Sequence, residues 1–282
     1  MSIQHFQRTV WSASILKSLN TITSMRNHCT FKYQKDTENA REVKILSVNR
    51  PTIKKYVPGN KIDREGATDS SITLSLDQFY YFNFEIEDID KAQSVPGLME
   101  ALSEEASRGL TLEGDKYVAG IIKAAADNTS DPEKPQVACS SVITLTNSNA
   151  MASVEDGFAT LYEHNCKVND LFYFEVAPKV FTTYRQQLTE LSTNNPEILK
   201  KGAVGKINNA LVCIENCLAE AEGAYYNVLR TDRAVAFAEQ IEKVEAYRPH
   251  DAFTDALKGL YVYGAQIVRP EEIYVLKTKK SA

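Results

Sequence analysis

Hydrophobic and polar residues alternate most regularly between residues 72 and 86. Only Gln78 interrupts a series of apolar side chains at even positions: Ile72, Leu74, Leu76, Tyr80, Phe82, Phe84 and Ile86. A period of two is typical of a strand with one buried face. Together with a first strand at residues 43–48, it predicts a long two-stranded hairpin with a charged, turn-rich tip. Two strands alone are marginally stable in water, so this hairpin is expected to lie on another surface.

The clearest helical pattern covers residues 96–127. Leu98, Leu102, Ala106 and Leu110 recur at four-residue spacing, and the apolar stripe continues to Ala125. About thirty helical residues span about 45 Å, whereas helices of globular proteins average about 11–12 residues. A helix of this length, like the hairpin, is an extension that one subunit is not expected to cover by itself.

The rest of the chain predicts short, mixed elements. Helices are expected around residues 154–162 and 178–191, and a loop at 194–206. The segment 234–238 is apolar but of undetermined type. Before the hairpin, residues 10–19 suit a short amphipathic helix, after which the chain is polar and expected to be extended. Strands are expected at 137–145, 171–176, 211–214, 225–229 and in an alternating tail from 260 to 275. These elements predict an α+β fold.

Charge is unevenly distributed along the 282 residues. The whole chain has a formal net charge of −5, yet its first 70 residues hold 12 basic and six acidic residues. Within residues 1–35 there are five basic residues and no acidic one. A basic arm on an acidic body predicts an electrostatic partner, which could be nucleic acid, an acidic protein or another subunit. A solvated arm or a transit peptide would have the same composition.

Residue patterns for catalysis or metal binding are missing from the sequence. The five scattered cysteines are typical of a reduced intracellular chain. The chain has no CxxC pair, no Gly-rich phosphate loop and no Gly-x-Ser-x-Gly motif, and it has only four histidines. Asp88 and Asp90 are more typical of a solvated strand end than of an acid–base pair. We therefore expect no enzyme activity, no cofactor and no metal. No apolar run reaches the length of a membrane span.

Three stretches, in this order, resemble one protein family. Residues 72–94 read ITLSLDQFYYFNFEIEDIDKAQS, residues 114–122 read GDKYVAGII, and residues 241–271 read IEKVEAYRPHDAFTDALKGLYVYGAQIVRPE. They are similar to the strand-to-helix passage, the spine helix and the closing segment of tailed-bacteriophage major capsid proteins of the Hong Kong 97 fold.

The resemblance implies a Hong Kong 97-type arrangement of domains. It implies an N-terminal arm at residues 1–45 and an E-loop hairpin at 46–86. A peripheral domain would occupy 87–150, with the spine helix at about 96–127, and about 239–264 would rejoin it. Residues 151–238 would form the axial domain, with a final strand at about 265–280.

The implied function is self-assembly, as hexamers and pentamers, into the icosahedral shell around a double-stranded DNA genome. The implied partners are further copies of the chain, a separate scaffolding protein, a portal protein, packaged DNA through non-specific contacts and a decoration protein, with no membrane. The protein would be made in the bacterial cytoplasm and reside in the virion capsid. The charge asymmetry adds candidate inter-subunit contacts: Lys54, Lys55, Tyr56, Lys61 and Arg64 in the E-loop, and Arg8, Trp11, Lys17 and Arg26 in the arm.

Three other functions remain open at this point. An encapsulin-like nanocompartment shell would have the same fold but would hold enzyme cargo. An organelle-imported α+β enzyme would use residues 1–35 as a transit peptide, although the missing catalytic pattern and the similarity of the tail count against it. A nucleic-acid-binding module would use the basic arm, although the acidic body and a sequence pI near 5.6 count against it.

Overall fold

The computed structural model describes residues 25–37, 40–48, 53, 55, 69–87, 98–128, 130–131, 134–185, 203–250 and 254–280. Within these residues the α-helices are α1 (Leu98–Asp127), α2 (Ala150–Glu163) and α3 (Pro178–Arg185). The strands are β1 (Glu42–Val48), β2 (Asp69–Ser75), β3 (Gln78–Glu87), β4 (Ala138–Cys139), β5 (Ile143–Leu145), β6 (Phe172–Val176), β7 (Ala203–Ile207), β8 (Ala210–Ile214), β9 (Glu220–Ala221), β10 (Ala224–Thr231), β11 (Val235–Tyr247), β12 (Thr254–Ile267) and β13 (Ile273–Lys280). The α+β class is confirmed.

The alternating stretch points its even side chains inward from residue 72 to residue 84, as predicted. Leu74 and Leu76 are buried, while the odd positions 77, 79, 81, 83 and 85 are exposed. The prediction of one continuous strand is wrong, because β2 ends at Ser75 and β3 begins at Gln78. Strand β2 pairs antiparallel with β1, whereas β3 pairs antiparallel with β12. Alternation continues in phase across the break, so the pattern does not reveal the change of partner.

The change of partner takes place directly over Gly264 of β12. A Cβ at this position would lie 1.9 Å from the carbonyl oxygen of Ser75 and 3.1 Å from the Cα of Leu76. Only glycine allows the two backbones to approach this closely. The base of the β1–β2 hairpin is thereby held on the body, where Ile45, Leu74 and Leu76 pack with residues of β11 and β12.

The three-stranded sheet has the order β11–β12–β3. Strand β11 includes most of the apolar segment 234–238, whose type the sequence left open. The long helix predicted at about 96–127 is confirmed as α1. Leu110, Val118 and Ile122 of α1 are buried, whereas the described side chains between positions 102 and 109 are exposed or half-buried. The helix therefore packs on the body along its second half.

The eight-stranded sheet has the order β4–β13–β10–β6–β8–β7, with β5 beside β13 and β9 beside β10. Its two faces meet different partners, since side chains alternate along each strand. Helices α2 and α3 cover one face, where the ring of Phe158 lies 5.6 Å from that of Phe172 and the ring of Tyr184 lies 5.3 Å from that of Phe174. Tyr173 and Glu175 of β6 point to the other face.

Several local predictions need correction. The strand expected at 137–145 is two short strands, β4 and β5, and the loop expected at 194–206 contains the start of β7. The chain is not extended at residues 25–37, which form a 3-10 turn at Arg26–His28 followed by further turns. These residues fold because the body of the chain supplies partners that their local sequence does not reveal. The amphipathic helix expected at 10–19 lies outside the described residues.

Candidate functional site

Two of the nine predicted contact residues fall within the described part of the chain. Lys55 is exposed, whereas Arg26 is only 1% exposed. The others lie outside the described residues: Arg8, Trp11, Lys17, Lys54, Tyr56, Lys61 and Arg64. In this structure Arg26 makes contacts within its own chain, and its expected contact with a neighbouring subunit stays a prediction.

Arg26 is held by α1 and by the three-stranded sheet. Its backbone N–H donates to Asp115 Oδ1 at 2.9 Å, and its Nη1 donates to Tyr261 Oη at 2.8 Å. The same guanidinium forms an ion pair with the carboxylate of Glu239, which is 20% exposed. Asp115 belongs to α1, Glu239 to β11 and Tyr261 to β12, so one arginine connects three elements.

His28 faces the eight-stranded sheet. Its Nδ1 lies 2.9 Å from Glu175 Oε1, and both side chains are fully buried. Its ring stacks on Tyr173 with the ring centroids 4.2 Å apart, and its Nε2 lies 3.7 Å from Cys213 Sγ. The imidazole therefore sits flat on the sheet face opposite α2 and α3.

Arg230 of β10 holds both the sheet and the N-terminal segment. Its Nε and Nη2 donate to the two carboxylate oxygens of Glu175 at 3.1 and 2.6 Å. Its Nη1 donates to the carbonyl of His28 at 3.0 Å, and Nη2 donates to the carbonyl of Met25 at 2.9 Å. A guanidinium suits this position, because its planar fork donates to a carboxylate and to neighbouring acceptors together.

We call Asp115, Glu175, Arg230, Glu239 and Tyr261 the seat, because together they hold residues Met25–Thr30. In addition, Thr30 pairs with β11. Its N–H donates to the carbonyl of Val235 at 2.9 Å, and its carbonyl accepts from the N–H of Phe237 at 3.0 Å. The seat thus joins the eight-stranded sheet, α1 and the three-stranded sheet through one short segment.

Burial and neighbouring charges set the ionisation of the seat. Burial alone would raise the pKa of Glu175, but Arg230 and His28 outweigh it and hold that pKa below its ordinary value. Burial raises the pKa of Asp115, and the hydrogen bond from Arg26 offsets only part of the shift. Burial also raises the pKa of the Cys29 thiol beside Arg230, which makes this thiol a poor nucleophile. The arrangement suits anchoring rather than bond-making chemistry.

Sequence reasoning missed the seat. Its residues lie between 89 and 235 positions from Arg26, and no local motif connects them. The available signal was the run of basic residues without acids at 1–35, which did predict an acidic partner. In the structure, acidic groups of this chain are partners of Arg26 and His28, while a contact of the arm with another molecule stays a prediction.

Large apolar side chains are exposed on the hairpin and on β3. Leu46 is 71% and Ile53 91% exposed, while Phe79 and Tyr81 on the outer face of β3 are 49% and 77% exposed. Next to Tyr81, Phe82 and Gly259 border a cavity of about 400 Å³. Further large apolar side chains are exposed elsewhere in the described chain, at Phe31, Leu112, Val142, Val168 and Leu171. Apolar side chains that stay exposed in one subunit are available for contacts with another protein. We call Leu46, Ile53, Phe79 and Tyr81 the assembly face.

Within the described residues, no three His, Cys, Asp or Glu side chains are placed to hold a metal ion. Over the same residues, no helix has the length and apolar character needed to cross a membrane.

Sequence comparison finds no matching protein-family model and no matching curated protein. Structure comparison does find similar chains. A chain from Mycobacterium phage Che8 has 23% identity and a TM-score of 0.73, with 90% of both chains covered. The mature capsid of bacteriophage PhiM1 has 15% identity and a TM-score of 0.67, with 91% of this chain and 87% of that chain covered.

A virus-like particle from Pyrococcus furiosus is also similar, with 11% identity and a TM-score of 0.57 over 98% of this chain and 100% of that chain. The Che8 and PhiM1 phage chains have higher TM-scores than this particle, and each match covers about nine-tenths of this chain. The chain therefore has the capsid fold of tailed phages, of the Hong Kong 97 type.

Proposed function

We propose that the protein is the major capsid protein of a tailed phage and assembles into a closed shell around double-stranded DNA. The observation that carries the proposal is structural similarity across 90% of both chains to the Che8 phage chain, together with the likeness to the PhiM1 mature capsid. The exposed assembly face and the half-covered helix α1 support it, since both are surfaces that a single subunit leaves open.

The finer features of this function follow from the same proposal. Subunits would join as hexamers and pentamers, with a separate scaffolding protein and a portal protein as partners. A decoration protein would bind outside, and DNA would be held inside by non-specific contacts. Synthesis would take place in the bacterial cytoplasm, and the mature location would be the virion.

We also propose how the described elements divide between the domains. Helix α1 and the three-stranded sheet would form the peripheral domain, and the eight-stranded sheet with α2 and α3 would form the axial domain. The β1–β2 hairpin would be the base of the E-loop. The free part of the N-terminal arm would be shorter than 45 residues, since residues 25–37 pack in the body.

A nanocompartment shell holding enzyme cargo is the second candidate. The likeness to the Pyrococcus furiosus virus-like particle supports it over the full length of that chain. Its TM-score of 0.57 is lower than the 0.73 for the Che8 phage chain, which favours the phage function.

Negative-stain electron microscopy of the purified protein, alone and with a candidate scaffolding protein, tests the proposal. Closed angular shells or rings of subunits are expected. Shells that contain DNA would support the phage function, and shells filled with another protein would support the nanocompartment. Small oligomers of fixed size under every condition would contradict both.

The basic tip of the hairpin provides a residue-level prediction. Exchanging Lys54 and Lys55 for Glu is expected to reduce the yield of closed shells at least several-fold. These residues would pair with acidic groups of a neighbouring subunit, such as the exposed Glu104 and Glu105 of α1. One exposed ion pair contributes about 0–1 kcal/mol, so repetition around the shell must supply the effect. Particle counts by electron microscopy, at matched protein concentration, measure the yield.

The matched control exchanges Lys116 and Lys134 for Glu, which changes the net charge by the same amount. Both are exposed and form ion pairs within their own chain, with Glu113 and Asp131. Near-normal shell yield is expected for this control. Equal yields from the two double variants would show that the position of the charge is irrelevant and would contradict the prediction.

A further inference from the structure

The N-terminal segment Met25–Thr30 lies in the seat as a ligand lies in a binding groove. Among the described residues, the side chains that line this groove are far away in sequence, the nearest in the seat being Asp115 of α1. The described part of the segment pairs with the sheets through one isolated β-bridge, between Thr30 and Ala236, and does not form a strand of its own. The strands of both large sheets therefore complete their own pairing without it.

The seat contacts the backbone of the segment as well as its side chains. Arg230 donates to the carbonyls of Met25 and His28, and Asp115 accepts from the N–H of Arg26. Main-chain hydrogen bonds of this kind provide affinity in peptide-binding grooves, while pockets for particular side chains provide specificity. Among the side chains of the segment, Arg26 and His28 make the polar contacts with acidic groups, while Met25 and Cys29 are buried in the main hydrophobic core.

Charge determines which peptide the seat fits. It contains three carboxyl groups, on Asp115, Glu175 and Glu239, and one guanidinium, on Arg230. Arg26 pairs with Glu239, and His28 lies against Glu175. Each of these three acidic groups thus meets a donor from the segment, and the site suits a peptide that has Arg and, two residues later, His.

We propose that the seat is a specific peptide-binding site, that Met25–Thr30 is its ligand, and that this ligand can leave and be replaced while the sheets stay folded. The inference goes beyond the proposed shell function, because it concerns a contact within one subunit. The segment continues into turns where Lys32, Lys35 and Asp36 are exposed, so its exit from the groove is on the surface.

Native cleavage of the full-length chain tests the proposal. A protease recognition sequence inserted between Lys35 and Asp36 allows unassembled, folded protein to be cut once. Gel filtration is expected to show the N-terminal fragment eluting with the body. A fluorescent synthetic peptide of residues 25–35, added in excess, is then expected to replace it and to label the body. Circular dichroism before and after the exchange checks that the sheets remain folded.

Peptide variants test the specificity. Arg26→Ala and His28→Ala peptides are each expected to compete at least tenfold more weakly than the unaltered peptide. A Lys32→Ala peptide, altered at an exposed position, is expected to compete normally.

Release of the fragment directly after cleavage would overturn the proposal. Equal competition by the unaltered, Arg26→Ala and His28→Ala peptides would overturn it as well. Retention of the fragment without any exchange would also overturn it, because the segment would then be an integral part of the core. Shell formation does not enter this assay, so its result is independent of the proposed function.

Discussion

Replacing Arg230 with Leu is expected to lower the free energy of unfolding by about 3–5 kcal/mol, the usual cost of removing one partner of a buried ion pair. Arg230 and Glu175 are both fully buried. The variant would leave the Glu175 carboxylate with His28 alone and would remove the donor to the carbonyls of Met25 and His28. Denaturant unfolding followed by circular dichroism measures the change. A loss of less than about 1 kcal/mol would contradict the prediction.

Two further variants identify the cause of that loss. Arg108→Leu removes an arginine that pairs with Glu105 at 3.3 Å, but these side chains are 61% and 72% exposed. Its effect is expected to be at most about 1 kcal/mol, as for other surface pairs. The double variant Arg230→Leu with Glu175→Leu is expected to be more stable than Arg230→Leu alone, because no uncompensated charge stays buried. A double variant that is less stable would indicate that packing, not charge, sets the cost.

The second large effect is expected for Gly264→Ala. The new methyl group would overlap the carbonyl oxygen of Ser75, so β12 and the β2–β3 junction would have to separate. Overpacking of this kind costs about 1–3 kcal/mol and occasionally more. Because the displaced atoms are backbone, we expect the upper part of that range and faster proteolysis of the β1–β2 hairpin. Unfolding curves and limited proteolysis measure the two effects.

Gly120→Ala is the matched control for Gly264→Ala. Gly120 is exposed in α1, and a Cβ there would meet no atom within 4 Å. Since alanine favours a helix more than glycine does, this variant is expected to gain up to about 1 kcal/mol of stability. Opposite signs for the two substitutions are the predicted outcome. A neutral Gly264→Ala would show that the two backbones can separate without cost.

The elements that could be predicted from sequence are those with a sustained period. Alternation at residues 72–86 identified the buried face, and four-residue spacing identified α1 to within two residues of its start. The break at Leu76–Asp77 was not predictable, because a strand can change partner without changing its inward face. Strand β11 was not recognised, since its charged second half does not look like a buried strand. The division into domains stays a proposal.

The candidate site, unlike these elements, could not be predicted from a periodic pattern in the sequence. Nothing periodic marks Arg26 or His28, and their partners are brought together only when two sheets and a helix have packed. Composition predicted an acidic partner for the basic region, but it could not tell whether that partner belongs to the same molecule. Only a structure can make this distinction, because the composition of a sequence does not show which charged residues are close together in space. The assembly face had a partial signal in the aromatic residues around Phe79 and Tyr81.

The position of β13 has a consequence for the synthesis of the protein. Residues 273–280 form the last described strand along the chain, yet they lie in the interior of the eight-stranded sheet, between β4 and β10. Until they arrive, β10 presents an unpaired edge, and the sheet must wait for contacts that are distant in sequence, which fold slowly. The eight-stranded sheet therefore completes its pairing only after residues 273–280 have emerged from the ribosome.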